Sequence, residues 1–332
     1  MSITTMPPRA FLAALALAGL PAGAVAQPSA RANAVTVRAE NPLDAARADE
    51  TLTLPWADLA RRLPGLRADR VRVRDAEGRE LVSQPIDEDG DGTLDALLVL
   101  ADFAPRATRT FAVEPVAPEK PYAPRVHVRH DDPRDDVAWE SDRVGFRIYG
   151  EGLKKTPSAM SSSGIDVWPK RTRALIVERW YAKGHDAYHL DTGEGADFYD
   201  VGQTLGTGGT ALWVGDSLAR ADNFKAWKIV ANGPIRAVFE LRYDPWGTDA
   251  LRVTEVKRVA IDAGQQLYRQ ESTFRVAGGA APADGIPYAV GLVKRPGMVG
   301  TSSRANAWAW LTGWGPVARK NGGHGELGTA VM

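Results

Sequence analysis

The sequence predicts an all-β protein in which a small N-terminal β-sandwich is followed by a large antiparallel β-sandwich. Three observations carry this expectation. Apolar and polar residues alternate in short runs from Val35 onward, Gly, Asn, Asp and Pro cluster between the runs, and helical spacing of apolar residues is confined to one short stretch.

Taken in order, the chain opens with Arg9 ahead of an apolar run from Ala10 to Leu20. Ala24-Val25-Ala26 before Gln27 has the small-x-small form of a signal peptidase site. Residues 1–26 are therefore expected to be a signal peptide, and the protein exported, to the periplasm or beyond. Gly19, Pro21 and Gly23 interrupt a run already too short to cross a bilayer, which argues against membrane insertion.

The stretch 27–114 is expected to form the small sandwich. Val35-Thr36-Val37-Arg38, Thr51-Leu52-Thr53-Leu54, Val71-Arg72-Val73-Arg74 and Thr110-Phe111-Ala112-Val113 alternate as half-buried strands do. The continuous run Leu97-Leu98-Val99-Leu100 suits a more deeply buried one, and Pro55 followed by apolar residues at helical spacing up to Leu63 predicts a short helix. Pro115, Pro118, Pro121 and Pro124 stiffen a polar linker expected over 115–134. The large sandwich then occupies 135–332, with strands predicted at 144–149, 174–180, 226–230, 237–243, 251–261 and 267–276. The last six residues, Leu327 to Met332, read as a strand just begun, so further strands are expected to close the sheet.

Composition excludes several classes. There are no cysteines, so no disulfide or thiolate metal site supports the fold. Lys plus Arg and Asp plus Glu each number 41, and removing the signal takes away only Arg9, leaving 40 against 41. Such a balance gives no bulk attraction to nucleic acid. No phosphate-binding glycine loop and no Gly-x-Ser-x-Gly elbow is present.

Three segments carry residue types suited to chemistry or binding. In Asp87-Glu88-Asp89-Gly90-Asp91-Gly92-Thr93-Leu94-Asp95, oxygen ligands at alternate positions with a sharp-turn glycine suit a hard cation. Asp87, Asp89, Asp91 and Asp95 are the candidate ligands for a structural calcium ion. An EF-hand loop would require Glu where Leu98 stands, and an acidic hairpin loop explains the same composition. No cofactor is expected to be required.

The densest segment is Tyr188 to Tyr199, with one histidine, three carboxylates and two phenols in twelve positions. His189 can transfer a proton near neutral pH, and Tyr188 and Tyr199 are candidate acids or bases. Asp191, Glu194 and Asp197 can orient the histidine, ligate a metal or bind sugar hydroxyls. The alternative is a polar loop that caps turns. Upstream, Trp139, Arg143, Trp168, Lys170 and Arg171 place tryptophan faces beside cations, as a carbohydrate site requires, although tryptophans also fill large sandwich cores.

The motifs from Ser83 to Gly92, Trp139 to Gly150, Gly164 to Trp168, Tyr188 to Gly202 and Asn232 to Arg236 together resemble the exported bacterial family known as domain of unknown function 4861. The likeness runs from about Val35 to the last residue. It implies a galactose-mutarotase-like β-sandwich and a setting among enzymes that degrade pectin and other uronate polysaccharides. Two departures stand out: Ser141 replaces the family's usual Asn, and the chain stops before the C-terminal strands that the resemblance implies.

Residue types and resemblance together favour a β-elimination lyase acting on acidic carbohydrate. Arg143, Lys170 or Arg171 would neutralise the uronate carboxylate, while His189 and Tyr188 or Tyr199 move protons. Two alternatives remain open. Hydrolysis or epimerisation would draw on Asp191, Glu194 and Asp197, and a non-catalytic carbohydrate-binding protein needs no proton chemistry.

Overall fold

The computed structural model describes residues 33–155, 163–305, 308–317 and 325–332. The expected signal peptide at 1–26 lies outside these residues. Two compact units emerge. The first comprises the described residues up to Arg125 with the short segments Gly233–Arg236 and Asp262–Gly264, and the second comprises the other described residues.

In the first unit, β1 (Val35–Glu40), β2 (Arg47–Pro55), α1 (Trp56–Arg62), β3 (Arg72–Asp75), β4 (Glu80–Leu81), β5 (Ser83–Ile86), β6 (Ala96–Phe103) and β7 (Thr108–Glu114) follow in order. They form two antiparallel sheets, β1-β7-β3-β4 and β2-β6-β5. Alternation puts Val35, Val37, Val73, Phe111 and Val113 on one inner face, and these pack with Leu52, Leu54, Leu97 and Val99 of the other sheet. The acidic segment 87–95 joins β5 to β6.

The second unit contains β8 (Val126–Asp131), β9 (Asp136–Ser141), β10 (Val144–Tyr149), β11 (Asp166–Pro169), α2 (Val177–Ala182), β12 (Thr207–Val214), β13 (Ser217–Arg220), β14 (Ala226–Asn232), β15 (Arg236–Gly247), β16 (Arg252–Asp262), β17 (Tyr268–Val276), β18 (Tyr288–Leu292), β19 (Val299–Ala305), β20 (Trp308–Pro316) and β21 (Glu326–Val331). Their sheets are β11-β10-β9-β8, β13-β12-β18, β14-β15-β16-β17 and β19-β20-β21. Trp139 on β9 locks two of them together, with ring centres 5.0 Å from Phe239 on β15 and 5.4 Å from Tyr268 on β17 of the same sheet. The protein is all-β, with two short α-helices among the described residues.

Two expectations change. The predicted linker already carries β8 from Val126, because Val126 and Val128 alternate inward and the strand pairs with β9. The strand predicted over 174–180 is instead a turn leading into α2. Its β-prone sequence is overridden by Glu140 on β9, whose Oε1 accepts the N–H groups of Ile176 and Val177, both at 2.8 Å. A carboxylate that satisfies the first helical N–H groups stabilises a helix start from outside the local sequence.

Candidate functional site

The second unit buries a charge cluster built on β10 and β11. Within β10 the apolar side chains of Val144, Phe146 and Ile148 share one face, which leaves Arg147 and Tyr149 on the other. Arg147 stands directly opposite Asp166 in the β10–β11 register. Its Nη2 donates to Asp166 Oδ2 at 3.0 Å, to Asp197 Oδ2 at 3.2 Å and to the Tyr149 hydroxyl at 2.9 Å. Nη1 donates to the Tyr188 hydroxyl at 2.8 Å. Tyr149 and the Trp168 indole N–H both donate to Asp166 Oδ2, at 3.0 and 3.4 Å. Buried Asp166 Oδ1 has no hydrogen-bond partner among the described residues.

Segment 188–199 reaches this cluster because Gly195 brings it against β11. Gly195 forms a bridge with Lys170 at φ +93°, and a Cβ there would lie 2.1 Å from the Pro169 carbonyl oxygen. Arg171 N–H to Glu194 O at 2.9 Å and Asp197 N–H to Tyr188 O at 3.0 Å complete the attachment.

Burial pushes the Asp166 carboxyl up, with the Arg147 charge opposing it. The Tyr188 phenol is also raised by burial, against Arg147, so it is held protonated at neutral pH. Desolvation disfavours the Arg147 charge, but Tyr149, Tyr188, Asp166 and Asp197 overcome it and keep the guanidinium well above its ordinary range. One cation faces two aspartates, and the proton-holding tendency of Asp166 relieves the imbalance.

His189 stands at the rim, its side chain 18% exposed against 1% for Asp197. Its Nδ1 lies 3.2 Å from both Asp197 Oδ2 and the Asp197 carbonyl oxygen. Both are pure acceptors, which assigns the proton of the neutral ring to Nδ1 and the lone pair to Nε2. The His189 ring packs edge-on against Tyr188, with centres 4.6 Å apart. A histidine oriented by a carboxylate beside an arginine-held phenol can take a proton and return one.

The remaining sequence candidates distribute differently. Tyr199 is buried under the Arg295 guanidinium, 4.3 Å from the ring centre. Its phenol is raised by burial, with Arg295 opposing, so it is no base. Glu194 is held below the ordinary carboxylate range by Arg179 at 2.5 Å and also accepts from the Trp180 indole at 3.3 Å. Asp191 pairs with Arg171 at 2.8 Å and accepts the Gly193 and Gly195 N–H groups at 2.8 and 3.1 Å, so it shapes the turn.

Several expected binding residues are structural. Trp139 is fully buried, stacked on Phe146 with centres 5.5 Å apart, and offers no sugar platform. Trp168 is fully buried too, between Trp180 at 5.6 Å and Tyr188 at 5.3 Å, as a wall of the cluster. The Lys170 ammonium is engaged by Glu140 Oε2 at 2.7 Å and the Ser141 carbonyl at 2.8 Å, in a pair whose side chains have 0% exposure. Burial depresses this ammonium, against the pull of Glu140. Arg143 lies at the β9–β10 turn, its N–H donating to Ser141 Oγ at 3.0 Å. Ser141, in turn, donates to the Gln265 carbonyl at 2.6 Å.

Sequence reasoning gave Arg147, Tyr149 and Asp166 no role. The available signal was an arginine inside a strand of otherwise apolar and small residues. Its aspartate partner lies on another strand and follows only from the pairing register.

In the first unit, Asp87, Asp89 and Asp95 bring one carboxylate oxygen each to within 4.8 Å of one another. Asp91 stands outside this group and accepts the Thr93 N–H at 2.7 Å. Desolvation pushes the Asp87 carboxyl up, but the N–H groups of Gly92, Gly90 and Asp91 outweigh it and hold it below its ordinary range. Three carboxylate oxygens supply part of the six to eight that calcium takes, and the fourth predicted ligand, Asp91, is not part of the group.

No helix among the described residues is long and apolar enough to cross a membrane. A protein from Formosa agariphila called "Uncharacterized protein P7" is 34% identical over 247 residues, which cover 71% of this chain and 62% of that protein. The match thus spans less than two thirds of the relative's length. The family described as "Domain of unknown function (DUF4861)" matches residues 39–332, and a match over nearly the whole chain makes this protein a member of the DUF4861 family.

Proposed function

We propose that this protein is an exported lyase that cleaves uronate-containing oligosaccharides by β-elimination. The observation that carries the reading is the His189–Asp197 contact beside the Tyr188 phenol. His189 Nε2 removes the proton at C5 of the uronate, and the Nδ1–H donated to Asp197 stabilises the imidazolium that results. Tyr188, kept protonated by burial and positioned by Arg147, supplies the proton to the departing O4. Hydrolysis gains less support, because Asp191 and Glu194 are each engaged by an arginine.

Absorbance of unsaturated uronates tests this with pectic, alginate and ulvan-type oligosaccharides. The signal is expected to rise with one of them and to fall at least about 100-fold in His189→Ala. Full turnover in that variant would remove the central piece of the mechanism.

One observation favours a second reading, non-catalytic carbohydrate binding. Trp310 and Trp314 share a face of β20, are 40% and 56% exposed, and lie about 13 Å apart along the strand. Exposed rings so spaced suit stacking on an extended glycan. No ultraviolet change, with a melting shift that disappears in Trp314→Ala, would favour it. The Asp87, Asp89 and Asp95 group is proposed to hold a bracing calcium ion, in which case chelator lowers the melting temperature and added calcium restores it.

A further inference from the structure

β-Elimination from a uronate needs a cation on the substrate carboxylate, because the C5 proton is otherwise too weakly acidic to remove. Two of the cations expected from sequence serve other ends: Lys170 is closed inside its pair with Glu140, and Arg171 is paired with Asp191. Arg147, at the centre of the cluster, is buried between Asp166 and Asp197.

Arg295 differs from these. It opens the turn Arg295-Pro296-Gly297-Met298, in which the Met298 N–H donates to the Arg295 carbonyl at 3.1 Å. Proline at the second position and Gly297 at φ +81° are what a type II turn requires. The turn follows β18 and is tied down by Val293, which is buried and donates its N–H to Gly206 O at 2.8 Å. The backbone under Arg295 is therefore fixed.

Its side chain is fixed as well. The guanidinium lies over the Tyr199 ring at 4.3 Å, and Nη2 donates to the Asp200 carbonyl. Among the described residues no carboxylate lies within ion-pair distance of it. A guanidinium has five N–H donors, so capacity for a two-point grip on an anion remains. Tyr199 is two residues from Asp197, the partner of His189, which limits the separation of their Cα atoms to about 7 Å. A half-exposed, pre-ordered arginine without an acidic partner among the described residues thus sits beside the cluster that holds the proton-transfer pair.

We propose that Arg295 is the substrate-carboxylate-binding residue of this site, making the protein selective for uronate over neutral sugar. The inference rests on the uronate reading above, but its test is independent of turnover. The full chain is titrated with trigalacturonate, with the corresponding alginate and ulvan-type trisaccharides, and with the methyl ester of each, at low ionic strength. The wild type is expected to prefer at least one acid over its ester. Arg295→Gln should lose about 10- to 100-fold in affinity for that acid and bind the ester unchanged. Arg295→Lys, which keeps the charge without the fork, should recover part of the loss.

Equal wild-type affinity for acid and ester, or binding of none of the acids, overturns the proposal. So does an Arg295→Gln variant that keeps the preference. If Arg295→Gln melts much earlier than the wild type, Arg295→Lys decides the matter, since full affinity and preference in that variant would exclude a two-point grip. A preference that Arg295→Gln abolishes, without any ultraviolet signal, would end the lyase reading and leave this one standing. An ultraviolet signal with unchanged KM in Arg295→Gln would do the reverse.

Discussion

Two buried ionic groups lie on the same small sheet, and they have opposite characters. Around Glu140 and Lys170 each hydrogen bond is closed inward. Glu140 accepts from the Lys170 ammonium and from the Ile176 and Val177 N–H groups, Lys170 also donates to Ser141 O, and neither side chain has any exposure. Around Arg147 the pattern is left open. Two aspartates share one guanidinium, Asp166 Oδ1 is unmatched among the described residues, and Asp197 reaches outward to a partly exposed histidine. A closed ion pair fixes a turn and a helix start, whereas an ion pair that ends on a titratable rim residue can pass its bias to a substrate.

The largest effect is expected from breaking the closed group. Glu140→Ala leaves a buried ammonium beside one carbonyl and strips the α2 start of its acceptor, which costs about 3–5 kcal/mol of stability. Denaturant unfolding would measure it. His189→Ala should cost no more than about 1 kcal/mol while, on the proposed lyase reading, turnover falls at least about 100-fold. Equal destabilisation by the two variants would erase the distinction between scaffold and site.

The next effect sharpens the comparison through pH. Asp136 on β9 accepts the Tyr181 hydroxyl at 2.7 Å, and burial pushes its carboxyl up to about 6, with Arg147 opposing. A carboxyl raised on folding is protonated more readily in the folded state than in the unfolded chain. Its contribution is therefore fully present below the unfolded value near 3.8 and lost as pH rises through about 6. Asp136→Asn keeps an acceptor for Tyr181 and removes the titration. Relative to wild type it should gain on the order of 3 kcal/mol between pH 4 and pH 8, read from paired unfolding curves. A constant difference across that range would show that Asp136 titrates normally.

The sequence conveys the all-β class well, because alternation is a local property. Val35 to Arg38 and Val144 to Tyr149 announce their strands, and Pro55 announces α1. The Ala174–Trp180 segment misleads for a physical reason: its helix start depends on Glu140, more than thirty residues away in the chain. The same holds for the site. His189, Tyr188 and Asp197 stand out by type and density, but Arg147 and Asp166 become partners only through the register of β10 with β11. Trp139 and Lys170 look like binding residues because aromatic and cationic side chains read alike in a core, an ion pair and a sugar cleft. Burial alone separates these cases.

The smallest effect belongs to an ion pair outside both groups. Arg171 is 63% exposed and meets Asp191 at 2.8 Å. Water and salt screen such a contact, and ordering the long arginine side chain offsets part of the attraction. Asp191 would still accept the Gly193 and Gly195 N–H groups, so the turn that carries His189 toward Asp197 keeps its support. Arg171→Ala is therefore expected to cost less than about 1 kcal/mol, and less again at high ionic strength. Affinity for acidic sugar should stay unchanged in this variant, because a solvent-screened surface pair carries neither structural nor recognition weight. A loss of affinity that disappears with salt would return Arg171 to the binding site and show that the anion is gripped from the loop side as well.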